Sequence, residues 1–284
     1  MSKIICFGDI HIHHTHKFSK INSDGYSVRE QEHLACADVI CNLIDKYQDC
    51  ERVVFLGDLF GPVGDVVSCQ SLTVASEIIN KISKKCADKN IVFDMLVGNH
   101  DISSYINNKY SHKLYPFKHY QNINIYDQPT VVGNYVFMPY CNSDEFASNF
   151  LRSISNKKDS VIFSHLEIQY VDLGSGIVTS KGITQDLLKE FKMTISGHYH
   201  SGTDIAKNIK VCGSTQRLSF KDKGIGRNNI IIYDTETNKC TRESFNCPEW
   251  FCFTDENISD ILDPLTEVNI SEITENDVED LKLY

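Results

Sequence analysis

Asp9 and His11 alternate in the stretch GDIHIH at 8–13. Four more short motifs follow in order: GDLF at 57–60, GNHD at 98–101, Ser164-His165, and GHYH at 197–200. In extended backbone, residues two apart project to one side, so Asp9 and His11 can share a target. A carboxylate oxygen beside an imidazole nitrogen suits Mn²⁺, Fe, Co or Zn²⁺. Asp58 offers two carboxylate oxygens, one for each of two ions, which makes it the natural bridge. Gly98 lets the backbone turn sharply beside Asn99. The Asn99 side-chain carbonyl can bind a cation while His100 stays unligated and able to carry a proton. His165, His198 and His200 complete the set. A single DxH or HxH triplet is common by chance; five motifs in a fixed order, each just behind an apolar run, are not. The collection fits two cations sharing one carboxylate, an arrangement suited to phosphate-ester hydrolysis.

The runs that must position these motifs are short, apolar and β-branched: residues 3–7, 52–56, 91–97, 161–164 and 193–196. Such runs suit strands buried on both faces. Helical patterns lie between the first pairs, at 28–47 and 72–86. Repetition of strand, motif and helix predicts an α/β fold with its site at the carboxyl ends of strands. The second half is more β-rich, with strands expected at 130–138, 209–212, 229–233 and 239–245, a turn at 234–238, and helices around 143–155 and 184–191. A β-sandwich flanked by helices accounts for both halves.

The chain is 284 residues long, enough for a substantial buried core. Its 41% hydrophobic and 23% charged content are those of an ordinary globular protein. No run approaches the roughly 18–20 apolar residues of a membrane span, so no membrane association is expected. Residues 1–6 pass directly into a strand and a motif and do not read as an export signal. Eleven cysteines, without CxxC pairing, fit reduced thiols in a cytoplasmic protein rather than zinc fingers or a disulfide scaffold. The net charge of −10 is concentrated at one end: residues 255–284 carry ten Asp or Glu against Lys282 alone. That leaves 28 acidic and 27 basic residues in 1–254, a nearly neutral body that does not repel nucleic acid.

These motifs resemble those of the calcineurin-like metallophosphoesterase superfamily over nearly all of residues 1–245. The stretch VCGSTQRLSF at 211–220, with the strand at 229–233, is similar to the repair-nuclease branch. That branch holds the SbcD exonuclease subunit and the recombination endonuclease subunit of T-even phages. Residues 97–101, 125–130, 196–201 and 233–237 look closest to the phage type. Protein phosphatases of the superfamily carry Asp-Arg-Gly after the second motif, where this chain has Gly61-Pro62-Val63.

The resemblance implies a four-layer α-β-β-α sandwich at 1–250 and a short acidic C-terminal tail at 251–284. It implies that Asp9, His11, Asp58 and His200 hold one ion and that Asp58, Asn99, His165 and His198 hold another, about 3.5–4 Å away. His100 is then the candidate general acid, protonating the leaving oxygen or steadying the equatorial charge. The activity implied is that of a manganese-dependent DNA exo- or endonuclease in recombination and repair, working with an SbcC-like ATPase. A phosphoesterase for nucleotides or phosphoproteins is the second reading, and a scaffold that only binds a partner is the third. Relatives place His or Asp where this chain has Gly61, so the group that orients His100 must come from elsewhere; Asp65 and Asp101 are both open. His13 is a candidate contact for substrate phosphate. Lys17, Lys20 and Lys181, with Tyr105 and Tyr110, are candidates for nucleic-acid contacts. His14 and His16 read as a polar loop edge, while His33, His112 and His119 have no motif context. The tail has apolar positions for a short amphipathic helix that could bind the ATPase or a second copy of this chain. Only some forty residues follow the expected sandwich, so a separate DNA-capping domain is expected to be minimal or absent.

Overall fold

Strands with no polar face lie at the centre of the molecule, as continuous apolar runs dictate. The computed structural model describes residues 2–14, 21–61, 66–106, 109–171, 178–216, 218 and 229–245, with backbone alone at 104–106, 109 and 110. The chain runs through β1 (Lys3–Phe7), α1 (Val28–Lys46), β2 (Cys50–Phe55), α2 (Cys69–Asp88) and β3 (Val92–Leu96). A hairpin of β4 (Ile102–Ile106) and β5 (Lys109–His112) follows, then β6 (Ile123–Tyr126), β7 (Thr130–Val132) and β8 (Tyr135–Met138). The rest comprises α3 (Asp144–Ser153), β9 (Val161–Ser164), α4 (Gln185–Lys189), β10 (Met193–Ser196), β11 (Thr203–Ala206), β12 (Ile209–Val211), β13 (Ile230–Asp234) and β14 (Lys239–Glu243). All of these elements fall within one compact unit, Met1–Glu249. His16, Lys17, Lys20, Asp65, Arg217 and the acidic segment 251–284 lie outside the described residues, as do the side chains of Tyr105 and Tyr110.

One sheet has the strand order β14-β13-β1-β2-β3-β6 and the other β11-β12-β10-β9-β8-β7. Pairing is parallel from β1 through β2 and β3 to β6. It is parallel again from β8 through β9 and β10 to β12. Parallel neighbours need crossovers, which α1 and α2 supply in the first sheet. The consequence is functional: in each sheet several strands end on the same edge.

Alternation along β1 divides its side chains between two cores. Ile5 and Phe7 join Val53 and Phe55 beneath Ile40, Ile44, Ile78 and Ile82 of α1 and α2. Ile4 and Cys6, with Val54 and Leu56, face Phe137, Phe163 and Ile195 of the second sheet. On that sheet's outer side, Val136, Ile162 and Ile209 pack against Ala147 and Leu151 of α3 and Leu187 and Leu188 of α4. The result is the expected four-layer α-β-β-α sandwich. Fully burying one such side chain contributes about 1.5–3 kcal/mol. Packing below the strand ends therefore fixes them in place.

Local signals set the helix ends. Ser27 and Glu30 form a reciprocal capping box at α1, with the Ser27 N–H donating to Glu30 Oε2 at 2.7 Å and the Glu30 N–H to Ser27 Oγ at 3.2 Å. The single strand expected at 130–138 is instead the hairpin β7–β8. Gly133 sits at its turn with φ +59°, a left-handed conformation that breaks the strand. Every cysteine among the described residues is a free thiol. Among the same residues, no helix is long and apolar enough to cross a membrane.

Candidate metal centre

The five motifs converge because they all follow parallel strands. Asp9 and His11 leave β1, Asp58 leaves β2, Asn99 and His100 leave β3, His165 leaves β9, and His198 and His200 leave β10. The first two loops run side by side: Asp9 N–H donates to the Gly57 carbonyl at 2.9 Å, His11 N–H to Asp58 at 3.1 Å, and Ile12 N–H to Leu59 at 2.8 Å. Two contacts tie the sheets together at this edge. Tyr140 N–H donates to the Val97 carbonyl at 2.9 Å, and His165 Nδ1 donates to the Leu56 carbonyl at 2.7 Å.

Three sets of side chains have ligand-type atoms within 4.8 Å of one another: Asp9, His11 and His200; His11, Asp58 and His100; and Asp58, His165 and His198. Asn99 joins the third, its Oδ1 lying 3.0 Å from both His165 Nε2 and His198 Nδ1. Asp58 Oδ2 is 3.2 Å from His165 Nε2 and 3.6 Å from His11 Nε2, so it faces both sides of the cluster. All eight residues singled out as metal ligands or acid from the sequence therefore meet at one place.

The donor set suits cations. His165 donates its Nδ1 hydrogen to Leu56, so its Nε2 faces the oxygens of Asp58 and Asn99. Without the Nε2 proton, three electron-rich atoms would face one another, a costly arrangement in a buried site unless a cation takes that proton's place. His11 Nε2 is likewise buried without a hydrogen-bond partner among the described residues.

Protonation follows from the same crowding. Burial alone would lower the His165 pKa, but the Asp58 carboxylate against it raises the value to about 9. Burial pushes His11 and His198 down to about 3, so both are neutral bases at pH 7. Asp58 stays below the usual carboxylate range in spite of burial, because His165 beside it stabilises its charge. Asp9 is driven well above that range by burial.

The raised His165 pKa stabilises the ion-free fold. That contribution is complete below the ordinary histidine value of 6.5 and disappears as pH rises through about 9. Ion-free protein is therefore expected to lose thermal stability between pH 7 and 9.5, whereas loaded protein keeps it. Ion uptake at pH 7 should release about one proton, readable by calorimetry in buffers of different ionisation enthalpy. Uptake without proton release would contradict this account of His165.

The backbone is unusual where the cluster forms. Asp9 (φ +53°), His11 (+53°), Asp58 (+58°) and His198 (+78°) are four of the seven non-glycine residues with positive φ among those described. Each costs of order 1–3 kcal/mol, and such strain collects at functional sites. Glycines make the approach possible. A Cβ on Gly57 would lie 2.6 Å from His165 Nδ1, and one on Gly98 would collide with Asp58 Oδ1 and its backbone nitrogen.

Asp101 bears the remaining burden. Its buried carboxylate accepts N–H groups from Asp58 (2.9 Å), Leu59 (2.9 Å), Phe60 (3.2 Å) and Gly98 (3.0 Å), locking the second and third motifs together. With its oxygens so engaged, Asp101 does not orient His100. That task falls to Gly61 itself, whose carbonyl accepts from His100 Nδ1. His100 N–H donates to Asp58 Oδ1 at 2.8 Å, and Lys113 Nζ donates to the His100 carbonyl at 2.9 Å. Nothing in the sequence pointed to Lys113, the Gly61 carbonyl or Glu167, whose Oε1 lies 3.9 Å from His198 Nε2.

His13 is half-buried at the side of the cluster, its Nδ1 3.0 Å from the His11 carbonyl. His14 is drawn away to Glu30, 2.7 Å from its Nδ1.

A family model for calcineurin-like phosphoesterases matches residues 2–202. Exonuclease subunit 1 of Enterobacteria phage T4 is 27% identical over 192 residues, covering 64% of this chain. The chain matches only 52% of that relative's length. Among solved structures, a dimetal phosphatase from Danio rerio aligns with a TM-score of 0.41 at 11% identity, over 81% of this chain and 91% of that one.

Proposed function

This chain belongs to the calcineurin-like phosphoesterase family, and from that premise we propose that it is a two-metal DNA exo- or endonuclease subunit of a recombination-repair complex. The observation that carries the two-metal reading is Asp58, facing His11 on one side and His165 on the other within a buried group of ligand-type atoms. The similarity to a phage exonuclease subunit supports the nuclease assignment.

In this reading Asp9, His11, Asp58 and His200 hold one divalent ion, and Asp58, Asn99, His165 and His198 the other. When bound, such ions, Mn²⁺ in this proposal, would polarise phosphoryl oxygens and acidify water. The chain's own residues do the rest. His100 has its Nδ1 proton committed to Gly61, so Nε2 is the atom that protonates the leaving oxygen. Glu167 supports the His198 ring from its far side. His13 contacts a non-reacting phosphate oxygen.

The deciding experiment incubates the protein with Mn²⁺ and linear duplex DNA, single-stranded DNA, bis(p-nitrophenyl) phosphate and a phosphomonoester. Degradation of DNA is the expected result. Turnover of small esters alone would favour the nucleotide or phosphoprotein reading, and inertness toward all four would leave only a scaffold.

We assign the acidic tail at 251–284 to partner binding, with an SbcC-like ATPase or a second copy as the occupant, and the free thiols fit a cytoplasmic setting. Deleting residues 255–284 is expected to leave hydrolysis of the small diester intact and to abolish co-purification with the ATPase. Loss of both together would make the tail part of the catalytic fold.

A further inference from the structure

A cavity of about 300 Å³ adjoins the His198 side of the cluster, lined by Tyr140, Asn142, Asp144, Leu166, Glu167 and Lys181 among others. Three chain segments build it. Tyr140 is fastened through its N–H to the strand that carries Asn99 and His100, and its ring centroid lies 6.2 Å from that of His198. Leu166 and Glu167 directly follow His165. Gly182 N–H donates to Asp144 Oδ2 at 3.0 Å, and Ile183 N–H to the Glu167 carbonyl at 2.8 Å. Gly182 has φ +103°, and a Cβ there would strike the Glu167 carbonyl group; only glycine brings Lys181 to this position.

The lining defines what fits. Two carboxylates, Asp144 and Glu167, outnumber the single ammonium of Lys181, so a phosphate group would meet net repulsion. A flat, neutral group with N–H donors would find acceptors in both carboxylates and in the Asn142 side chain, and an aromatic neighbour in Tyr140. The volume is at the lower end of small-ligand sites, sufficient for one base and too small for a base pair. Burial pushes the Cys141 thiol up to about 12, so this wall offers no nucleophile. Glu167 bounds the cavity and also lies 3.9 Å from His198 Nε2, so an occupant sits beside the reacting phosphate.

We propose that this cavity receives one unpaired nucleobase adjoining the phosphate that is cut, stacked against Tyr140 with its amino edge toward Asp144 and Glu167. The proposal rests on the phosphodiesterase reading and narrows it to substrates whose base is unpaired at the point of cleavage: single strands, overhangs or frayed ends. Bases with exocyclic amino groups, guanine, cytosine and adenine, suit the carboxylates better than thymine.

The test measures binding and turnover separately on the full chain. Calorimetric titration of Mn²⁺-loaded protein should show dGMP binding about tenfold tighter than inorganic phosphate, the scale of one stacked base. Tyr140→Ala should bring that ratio close to one, and Tyr140→Phe should retain it. The preference for thymidine 5′-(p-nitrophenyl phosphate) over bis(p-nitrophenyl) phosphate should fall about tenfold in Tyr140→Ala, through KM. Equal affinity for dGMP and phosphate in the unaltered protein, or an unchanged substrate ratio in Tyr140→Ala, would overturn the proposal. If neither diester is hydrolysed while dGMP still outbinds phosphate, the phosphodiesterase reading fails and the base site stands.

Discussion

Asp58→Ala is expected to slow phosphodiester hydrolysis about 10³–10⁴-fold and to strip the protein of both ions. Asp58 Oδ2 lies within 3.6 Å of imidazole nitrogens on each side, and Oδ1 also holds the His100 N–H. No other carboxylate among the described residues faces both groups of ligand atoms. Several kcal/mol of transition-state charge stabilisation should vanish with it. The fold should survive, because the backbone at 58 is held by Asp101 rather than by its own side chain. Elemental analysis and kinetics, taken with the thermal transition, check all three points. A variant that keeps two ions and a tenth of the activity would mean that Asp58 is not the shared ligand.

His100→Ala should behave differently. An ester with a poor alkoxide leaving group is expected to slow about 10²–10⁴-fold, because its departing oxygen needs a proton. A p-nitrophenyl ester, whose leaving group is a stable anion, should slow far less. Metal content should stay unchanged. That last measurement is decisive, since the ring of His100 lies 4.7 Å from that of His11 and belongs to one of the three close sets. Loss of an ion along with the ring would make His100 a ligand instead of an acid.

That Asp9, Asp58, Asn99 and the motif histidines would gather at one place was legible in the sequence, because each follows a run that can only be a buried strand. The layers were legible for the same reason: Ile4 and Ile5 must face different cores whatever the loops do. Features that depend on loops meeting in space were not. The Asp101 carboxylate reaches the Asp58 N–H forty-three positions away, and no periodicity encodes such a contact. Gly61 looked like a missing side chain, yet its backbone oxygen does the work that a side chain was expected to do. Left-handed φ at His11 and His198 is uncommon for any residue but glycine, so the alternation of the motif pointed to extended backbone instead. The β4–β5 hairpin escaped notice because the run ISSYI is short and interrupted by two serines.

The Asp101 cradle has a consequence for how the protein meets its metals. The second and third loops are closed by four amide-to-carboxylate bonds, none of which requires a cation. Filling or emptying the centre is then an exchange at a ready-made receptacle, governed by protons on the imidazoles. A receptacle of mixed oxygen and nitrogen donors discriminates weakly between neighbouring transition elements. On the two-metal reading, which element fills the centre would then depend on what its surroundings provide at the time of loading as well as on the donors.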